Sequence, residues 1–414
     1  MTGSSSPEGG SRQDLTGSSS PEGGSRQDLT GSSSPEGGRE GRLGMRSRAL
    51  LIRLAASLAA ILFALVVSGI ALALIGESPI TAFTSMASYG MQLDSLISIV
   101  NRAVPLYLSA LAVAIGFKMG LFNIGVEGQY TIAALMAAFV GAAVNLPPVL
   151  HVSLILVVAM LTGMLWGAIP GVLKVTRGVS EVISTIMLNA IATFLVSYLL
   201  ANHFLDRADE TLNLQTKKIP ESGWFPELVK LGDNATVNAI VLLALAVGIG
   251  YYVLIWRTRF GYDLRASGLN PLAAQASGVA PRAMIIKGMM LSGAVAGLVG
   301  MPTLLGFSHN YGLDFGTGLG FAGITVALLG RNNPIGIAVG ALLLAFLDRS
   351  AQKLDLEDIA KEIVVIMEGV IVLSVVIAYE LVQRVIEKQQ RRMIGEEHPP
   401  VAPTGDARPA GAPA

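Results

Sequence analysis

Residues 101–147 read NRAVPLYLSALAVAIGFKMGLFNIGVEGQYTIAALMAAFVGAAVNLP. Two apolar runs, Ala103 to Phe117 and Tyr130 to Val144, flank a polar stretch from Lys118 to Gln129. That stretch carries Asn123, Glu127 and Gln129 and is punctuated by Gly120, Gly125 and Gly128. An apolar run of about 15 residues is short for a bilayer span, which needs roughly 20. Interrupted helices persist at membrane depth where the freed backbone lines a cavity or is buried in protein. One reading of the stretch is therefore a substrate pathway. The other is a plain cytosolic turn between two spans.

The rest of the chain sets this stretch in a membrane. Hydrophobic residues make up 52% of the sequence and charged ones 14%, where a soluble domain has about a quarter charged. The charges collect in blocks and leave uncharged runs such as Leu54 to Ile75. The expected fold is all-α, a polytopic transmembrane bundle of about ten helices, some broken or short. Net charge is zero, so bulk charge offers no argument for nucleic acid or any acidic partner. Cysteine is absent, which excludes disulfides, thiolate metal sites and a cysteine nucleophile.

Working outward, residues 1–44 repeat the unit TGSSSPEGGSRQDL from Thr2, from Thr16 and, shortened, from Thr30. The unit has almost nothing to bury, and a disordered tail is expected. A transmembrane domain over 45–390 and a second disordered tail over 391–414 complete the expected organisation. Arg39, Arg42, Arg46, Arg48 and Arg53 precede the first apolar run, which predicts a retained helix with a cytosolic N-terminus. Further helices are predicted near 96–116, 124–146, 149–173, 181–203, 237–256, 284–306, 318–330, 335–347 and 362–380. Ten helices return the C-terminus to the cytosol. On that scheme 21 of the 29 Lys and Arg residues face the cytosol and 8 face outside, as the positive-inside rule requires. The runs 318–330 and 335–347 are too short to span alone. They form a pair bent at Asn332-Asn333-Pro334 or one re-entrant hairpin.

Glycines recur at packing intervals: Gly163, Gly167 and Gly171; Gly293 and Gly297; Gly336 and Gly340. Such faces let helices approach closely in lipid, here inside one subunit rather than between subunits. Gly318-Leu-Gly320-Phe-Ala-Gly323 matches a dinucleotide fingerprint, but the strand and the later acidic residue it needs are missing. Those glycines loosen a helix end or admit a close neighbour. No phosphate-binding loop occurs, and the four histidines show no metal spacing. No cofactor or metal is expected, and an enzyme reading has little support.

Polar residues inside apolar runs are costly and mark function more often than chance. Those singled out are Asn101, Asn123, Glu127, Gln129, Glu181, Ser184, Thr185, Asn189 and Glu368. Asn123, Glu127, Gln129, Ser184, Thr185 and Asn189 are the candidate lining of a substrate pathway. Hydroxyls and amides there suit a neutral polyhydroxy solute, and they equally suit hydrogen bonding between helices. A second informative stretch is WRTRFGYDLRASGLNPLAAQASGVAPRAMIIKG, Trp256 to Gly288. Asn270 caps, Pro271 fits the first helical position and Gly278 fits a helix stop. A two-turn helix over 271–277 is predicted outside the bilayer, with Ala273 and Ala274 small enough to enter a partner's groove.

Four motifs in order resemble the membrane permeases of ATP-binding-cassette importers, in the simple-sugar and nucleoside branch. They are Gly120-Leu-Phe-Asn-Ile-Gly-Val-Glu-Gly-Gln129, Glu181-Val-Ile-Ser-Thr-Ile-Met-Leu-Asn189, Gly268-Leu-Asn-Pro-Leu-Ala-Ala274 with Gly278, and Ala327-Leu-Leu-Gly-Arg-Asn-Asn-Pro-Ile-Gly336. The first two take the forms of nucleoside importers. The resemblance covers about residues 50 to 385. It implies a permease without catalysis of its own, in a bacterial-type plasma (inner) membrane. It implies two cassette ATPase subunits, a second permease subunit of paralogous type, a substrate-binding lipoprotein outside, and a nucleoside or sugar as solute. Gly268, Asn270, Pro271, Ala273, Ala274 and Gly278 would form the cytosolic coupling helix that meets the ATPase. Leu272 stands where the family commonly has an acidic residue. The alternative is an ion-coupled secondary transporter with Glu127, Glu181 and Glu368 as coupling groups. It explains the acids but not the coupling loop.

Overall fold

The structure is a computed structural model. It describes residues 62–74, 76–207, 214–230, 236–355 and 364–374, with 377, 378, 381 and 384. The repeat tail, the first part of the predicted first span and the C-terminal tail lie outside the described residues.

Helices α1 (Leu62–Leu74) and α2 (Pro79–Gly90) form a bent pair. Then come α3 (Leu93–Lys118), α4 (Val126–Ala143), α5 (Pro148–Arg177) and α6 (Glu181–Leu199). A loop region holds a two-stranded antiparallel sheet, β1 (Glu227–Lys230) and β2 (Thr236–Asn238). After it follow α7 (Ile240–Arg257), α8 (Arg259–Leu269), α9 (Pro271–Ala276), α10 (Pro281–Gly297) and the short α11 (Met301–Thr303). Last are α12 (Leu319–Leu329), α13 (Pro334–Asp355) and α14 (Val364–Ser374). Among the described residues, seven helices are long and apolar enough to cross a membrane, or eight if the bent pair is one span. With the short apolar α12 and α14 these account for the ten predicted runs.

Two differences from the sequence reading have local causes. Helix α2 was not anticipated, because PITAFTSMASYG is rich in hydroxyls. Ser78 caps it, accepting from the Thr81 N–H at 3.4 Å, and Pro79 opens it. Helix α13 runs past the predicted end at 347 and is a full-length helix of 22 residues. Its polar last turns have partners: Asp348 pairs with Arg102 at 2.5 Å, and Ser350 donates to the Met86 carbonyl at 3.2 Å. The turn before it needs left-handed backbone at Arg331 and Asn332.

Helix α3 is buried along most of its length and serves as a ruler for the bundle. At its N-terminal end Asn101 donates to the Thr236 carbonyl at 2.8 Å, so this intramembrane amide staples β2 to the bundle. Trp224 stacks on His309, with ring centroids 3.8 Å apart, and the Lys218 ammonium lies 5.0 Å from the indole centroid. Burial and the nearby Lys218 charge hold His309 below its ordinary range. The other end of α3 carries Lys118 and meets α8 and α10.

Two of the glycine faces read from the sequence meet each other within this chain, while Gly336 and Gly340 pack on Gly330 and Leu329. Helices α5 and α10 press together along Gly163, Gly167, Gly293 and Gly297. A Cβ on Gly163 would lie 2.9 Å from Gly297 Cα, and one on Gly167 would lie 2.8 Å from the Met289 carbonyl oxygen. Both contacts are with backbone, which cannot move aside as a side chain can. Gly163→Leu is therefore expected to lower stability by about 3 kcal/mol, read as a fall in the unfolding midpoint of the purified protein. Gly250→Ala, inside α7 where nothing lies within 4 Å, is the control and does not lower the midpoint.

Candidate functional site

The polar stretch after α3 does not leave the bundle. Ser292 on α10 donates to the Ala112 carbonyl at 2.6 Å and accepts from Asn123 Nδ2 at 2.8 Å. Ala112 lies about 9 Å up the helix axis from Lys118, at 1.5 Å per residue. After turning at Gly120, where φ is 69°, the chain has thus climbed back into the protein without helix. Asn123 has no exposed surface. This is non-helical backbone at membrane depth, sheltered by its neighbours. Helix α4 starts from that level, which is why its apolar run is short.

Hydrogen bonds fix the elbow. Asn123 and Gln129 pair through their amides at 3.1 and 3.2 Å, and Asn123 Oδ1 also accepts from the Gly125 N–H at 3.0 Å. From α6, Asn189 donates to the Ile124 carbonyl and accepts from the Gly128 N–H, both at 2.9 Å. Thr185 packs where a Cβ on Gly125 would come within 3.1 Å of its own Cβ. Its hydroxyl donates to the Glu181 carbonyl at 2.6 Å, and that of Ser184 to the Ser180 carbonyl at 3.0 Å. The structure therefore gathers Asn123, Gln129, Thr185 and Asn189 around one elbow and leaves Ser184 bonded to its own helix. Glu181 forms an ion pair with Lys174 at 2.5 Å, closing α6 against α5.

Glu127 turns the other way, toward α12. The Gly318 N–H donates to its Oε1 at 2.6 Å and the Gly320 N–H to its Oε2 at 2.8 Å. Tyr130 shares its hydroxyl proton between Glu127 Oε1 at 3.0 Å and the Gly316 carbonyl at 2.7 Å. A carboxylate at a helix N-terminus satisfies N–H groups that have no partner inside the helix and meets the positive end of its dipole. Gly318 is the N-cap with φ 90°, and a Cβ on Gly320 would strike the Glu127 backbone. The glycines of the false fingerprint thus serve a helix start and a close approach. Since Ser109 on α3 donates to the Leu319 carbonyl at 2.8 Å, α12 also begins inside the bundle. The N-termini of α4 and of the short α12 meet at one carboxylate.

The second candidate region lies at the Lys118 end. Asn270 accepts from the Ala273 N–H at 3.1 Å, Pro271 opens α9, and Gly278 has φ 84°. Gly268 sits against Met119, where an added Cβ would lie 2.7 Å from the Met119 backbone. A cavity of about 780 Å³ runs between this loop and the elbow, lined by Gly120, Lys174, Pro271, Gln275 and Arg282 among others. Ala274, read from the sequence as a residue for a partner's groove, is 5% exposed and faces its own protein. The outward apolar residues are Leu269 and Leu272, at 88% and 80%. Ala273 is exposed beside them.

Sequence reasoning missed Ser292, Tyr130 and the N–H groups of Gly318 and Gly320 as members of the site. Ser292 sits in a run of small residues with no local mark. The motif of Gly318 and Gly320 was a usable signal of an unusual helix start. Among the described residues no group of three or more His, Asp or Glu could hold a metal ion.

The Glu127 contacts give a direct test. Glu127→Ala leaves two N–H groups of α12 unpaired inside the protein and should cost about 3 kcal/mol. The expected result is a lower unfolding midpoint together with faster thiol labelling at Thr317→Cys. Unchanged labelling would mean that α12 is held in place without Glu127.

Comparison with known proteins agrees with this architecture. A family model described as "Branched-chain amino acid transport system / permease component" matches residues 95–376. The guanosine ABC transporter permease of Bacillus subtilis is 38% identical over 287 residues, covering 68% of this chain and 81% of that one. A nucleoside ABC transporter permease of Lactococcus lactis is 31% identical over 329 residues, 78% of this chain and 90% of its own. A glucose ABC transporter permease of Haloferax volcanii is 33% identical over 296 residues, 69% and 77%. These relatives are transport components rather than enzymes, and they decide against the ion-coupled alternative. The chain, a multi-span membrane protein built around a buried elbow and the short helix tied to it, belongs to this family of ABC transporter permease components.

Proposed function

We propose that this chain forms the translocation pathway of an importer for nucleosides, or related simple sugars, and is driven by separate cassette ATPase subunits. The identities to guanosine and nucleoside permeases support the solute class, and the glucose permease supports its breadth. In this reading a second permease subunit completes the pathway and an extracytoplasmic lipoprotein delivers the solute. The permease domain spans 45–390, between tails over 1–44 and 391–414. It lies in the plasma (inner) membrane with both termini cytosolic.

The single observation that carries the reading is a mechanical connection. The exposed leucines of α8 and α9 offer an apolar knob to a partner, and Gly268 in the same loop rests on the Met119 backbone at the foot of the elbow. Force on α9 reaches Met119, the elbow, and through Glu127 the start of α12. The bundle then supplies two arrangements that face opposite sides, and ATP binding in the partner biases them. Asn123, Gln129, Thr185 and Asn189 hold the pathway wall in shape, with Ser184 behind them. Glu127 couples the wall to α12. Within the coupling element Asn270, Pro271 and Gly278 set the helix, Gly268 transmits, and Leu272, Ala273 and Leu269 make the contact around the inward Ala274. Leu272, in place of the family's common acid, makes that contact apolar.

Two measurements test this. Leu272→Asp should leave the folded protein in the membrane, cut co-purification of the ATPase at least tenfold and reduce vanadate-sensitive nucleoside uptake in parallel. Equal recovery with unchanged uptake would remove this loop from the coupling role. Orientation is read from single cysteines at the exposed Glu221 and Ala276, since the native chain has none. An impermeant thiol reagent should label only position 221 in intact cells, and labelling at 276 alone reverses the topology.

A further inference from the structure

Glu368 is the intramembrane acid that neither the elbow nor the coupling loop uses. Helix α14 places it on a defined face. Val364, Met367 and Ile371 are buried in a cluster with α1, α2 and α13. The remaining stripe, Val365, Glu368 and Val372, looks into a cavity of about 550 Å³. Across that cavity α12 presents Phe321, Thr325 and Leu328, spaced for one helical face. Leu344 of α13 also lines it. The opposite face of α12, with Gly320 and Gly323, is packed on Glu127 and Ser109. Both helices thus turn their structural faces away and leave these stripes free.

The lining has the composition of a small-molecule site: mostly apolar, of ordinary size, with two polar side chains, Thr325 and Glu368. A carboxyl set in an apolar membrane helix is costly unless it faces water, a partner or a ligand. Among the described residues no hydrogen bond or ion pair engages the Glu368 side chain. Phe321 lines the cavity and is packed over only about half of its surface, at 52% exposed. Nothing lies within 4 Å of where a Cβ on Gly369 would stand, which keeps the cavity open beside the acid. Phe321 also directly follows Gly320, whose N–H is held by Glu127. Movement of the elbow is therefore carried to the cavity wall.

We infer that Phe321, Thr325 and Glu368 form a solute-recognition site in the pathway, taking a planar ring on Phe321 and a pair of adjacent hydroxyls on Glu368 and Thr325. The inference rests on the proposed transport of nucleosides and deepens it. A carboxyl group offers two oxygens to a pair of hydroxyls, and an aromatic face binds a base without regard to its edge pattern. This predicts a site that reads the ribose closely and the base loosely.

The test uses the assembled transporter in proteoliposomes, with ATP-dependent uptake of adenosine compared with 2′,3′-dideoxyadenosine. Wild type should prefer the diol at least tenfold in apparent KM, because a site built for hydroxyls rejects ligands that lack them. Glu368→Leu should bring the two KM values within about twofold, and Glu368→Gln, which keeps the size, should give an intermediate ratio. Phe321→Leu should raise both KM values and leave the ratio unchanged. Co-purification of the partner subunits checks assembly, and Glu368→Gln decides the matter if the leucine variant does not assemble. An unchanged ratio in the Glu368 variants overturns the site. So does reduced recovery of the second permease with the ratio intact, which would make the cavity a subunit contact. Wild-type uptake with no preference for the diol overturns this inference alone, whereas no ATP-dependent uptake of either compound overturns the transport reading as well.

Discussion

Inside a bilayer an unpaired peptide group has no water to turn to, and each one costs several kcal/mol. The elbow between α3 and α4 exists only because that demand is met. Asn123, Gln129, Asn189 and Ser292 supply the donors and acceptors that a continuous helix would have provided for itself. Each of these side chains acts on backbone or on another amide, and Asn123 is completely enclosed. The polar character of the region is thus first a structural necessity. What it makes possible is an irregular wall within the membrane, from which α4 and α12 start part-way across.

Glu127 extends the same logic to α12. A helix that begins inside the protein needs acceptors for its first N–H groups, and a single carboxylate serves two of them. The residues after that point, Phe321 and Thr325, line a cavity rather than a packed core. In contrast, the α5–α10 seam meets backbone to backbone and has no slack. The bundle therefore combines a stiff pair of helices with a short helix whose start is tied by Glu127 and Ser109, a division suited to a protein that alternates between two arrangements.

Much of this was legible in local sequence. The capped helix after Asn270, the short runs either side of Gly120 and the glycine faces of α5 and α10 depend on spacing over a few residues, and spacing is what a sequence displays. The partners of the elbow are another matter. Asn123 finds Ser292 169 residues later, and Glu127 finds Gly318 191 residues later. No local rule links such positions, so the reading stopped between a pathway and a plain turn. Ala274 shows the same limit at short range. Its size was readable, but its direction depends on how α9 lies against the bundle. The β1–β2 hairpin was missed because its strands are only four and three residues long, with no alternating pattern to announce them.

The wide separation of the elbow from Ser292 has a consequence for how the protein is made. At about 5–20 residues per second, the ribosome reaches Ser292 roughly ten to thirty seconds after it has finished Asn123. For that interval the broken backbone of the elbow has lost its helix and does not yet have α10. Water, the insertion machinery or a neighbouring polar segment must shelter it until the later helix arrives. Asn189, only 61 residues beyond Gly128, arrives sooner and satisfies part of the elbow first. The order in which these amides emerge is thus an order of assembly, with α6 acting as the early brace and α10 closing the structure around it.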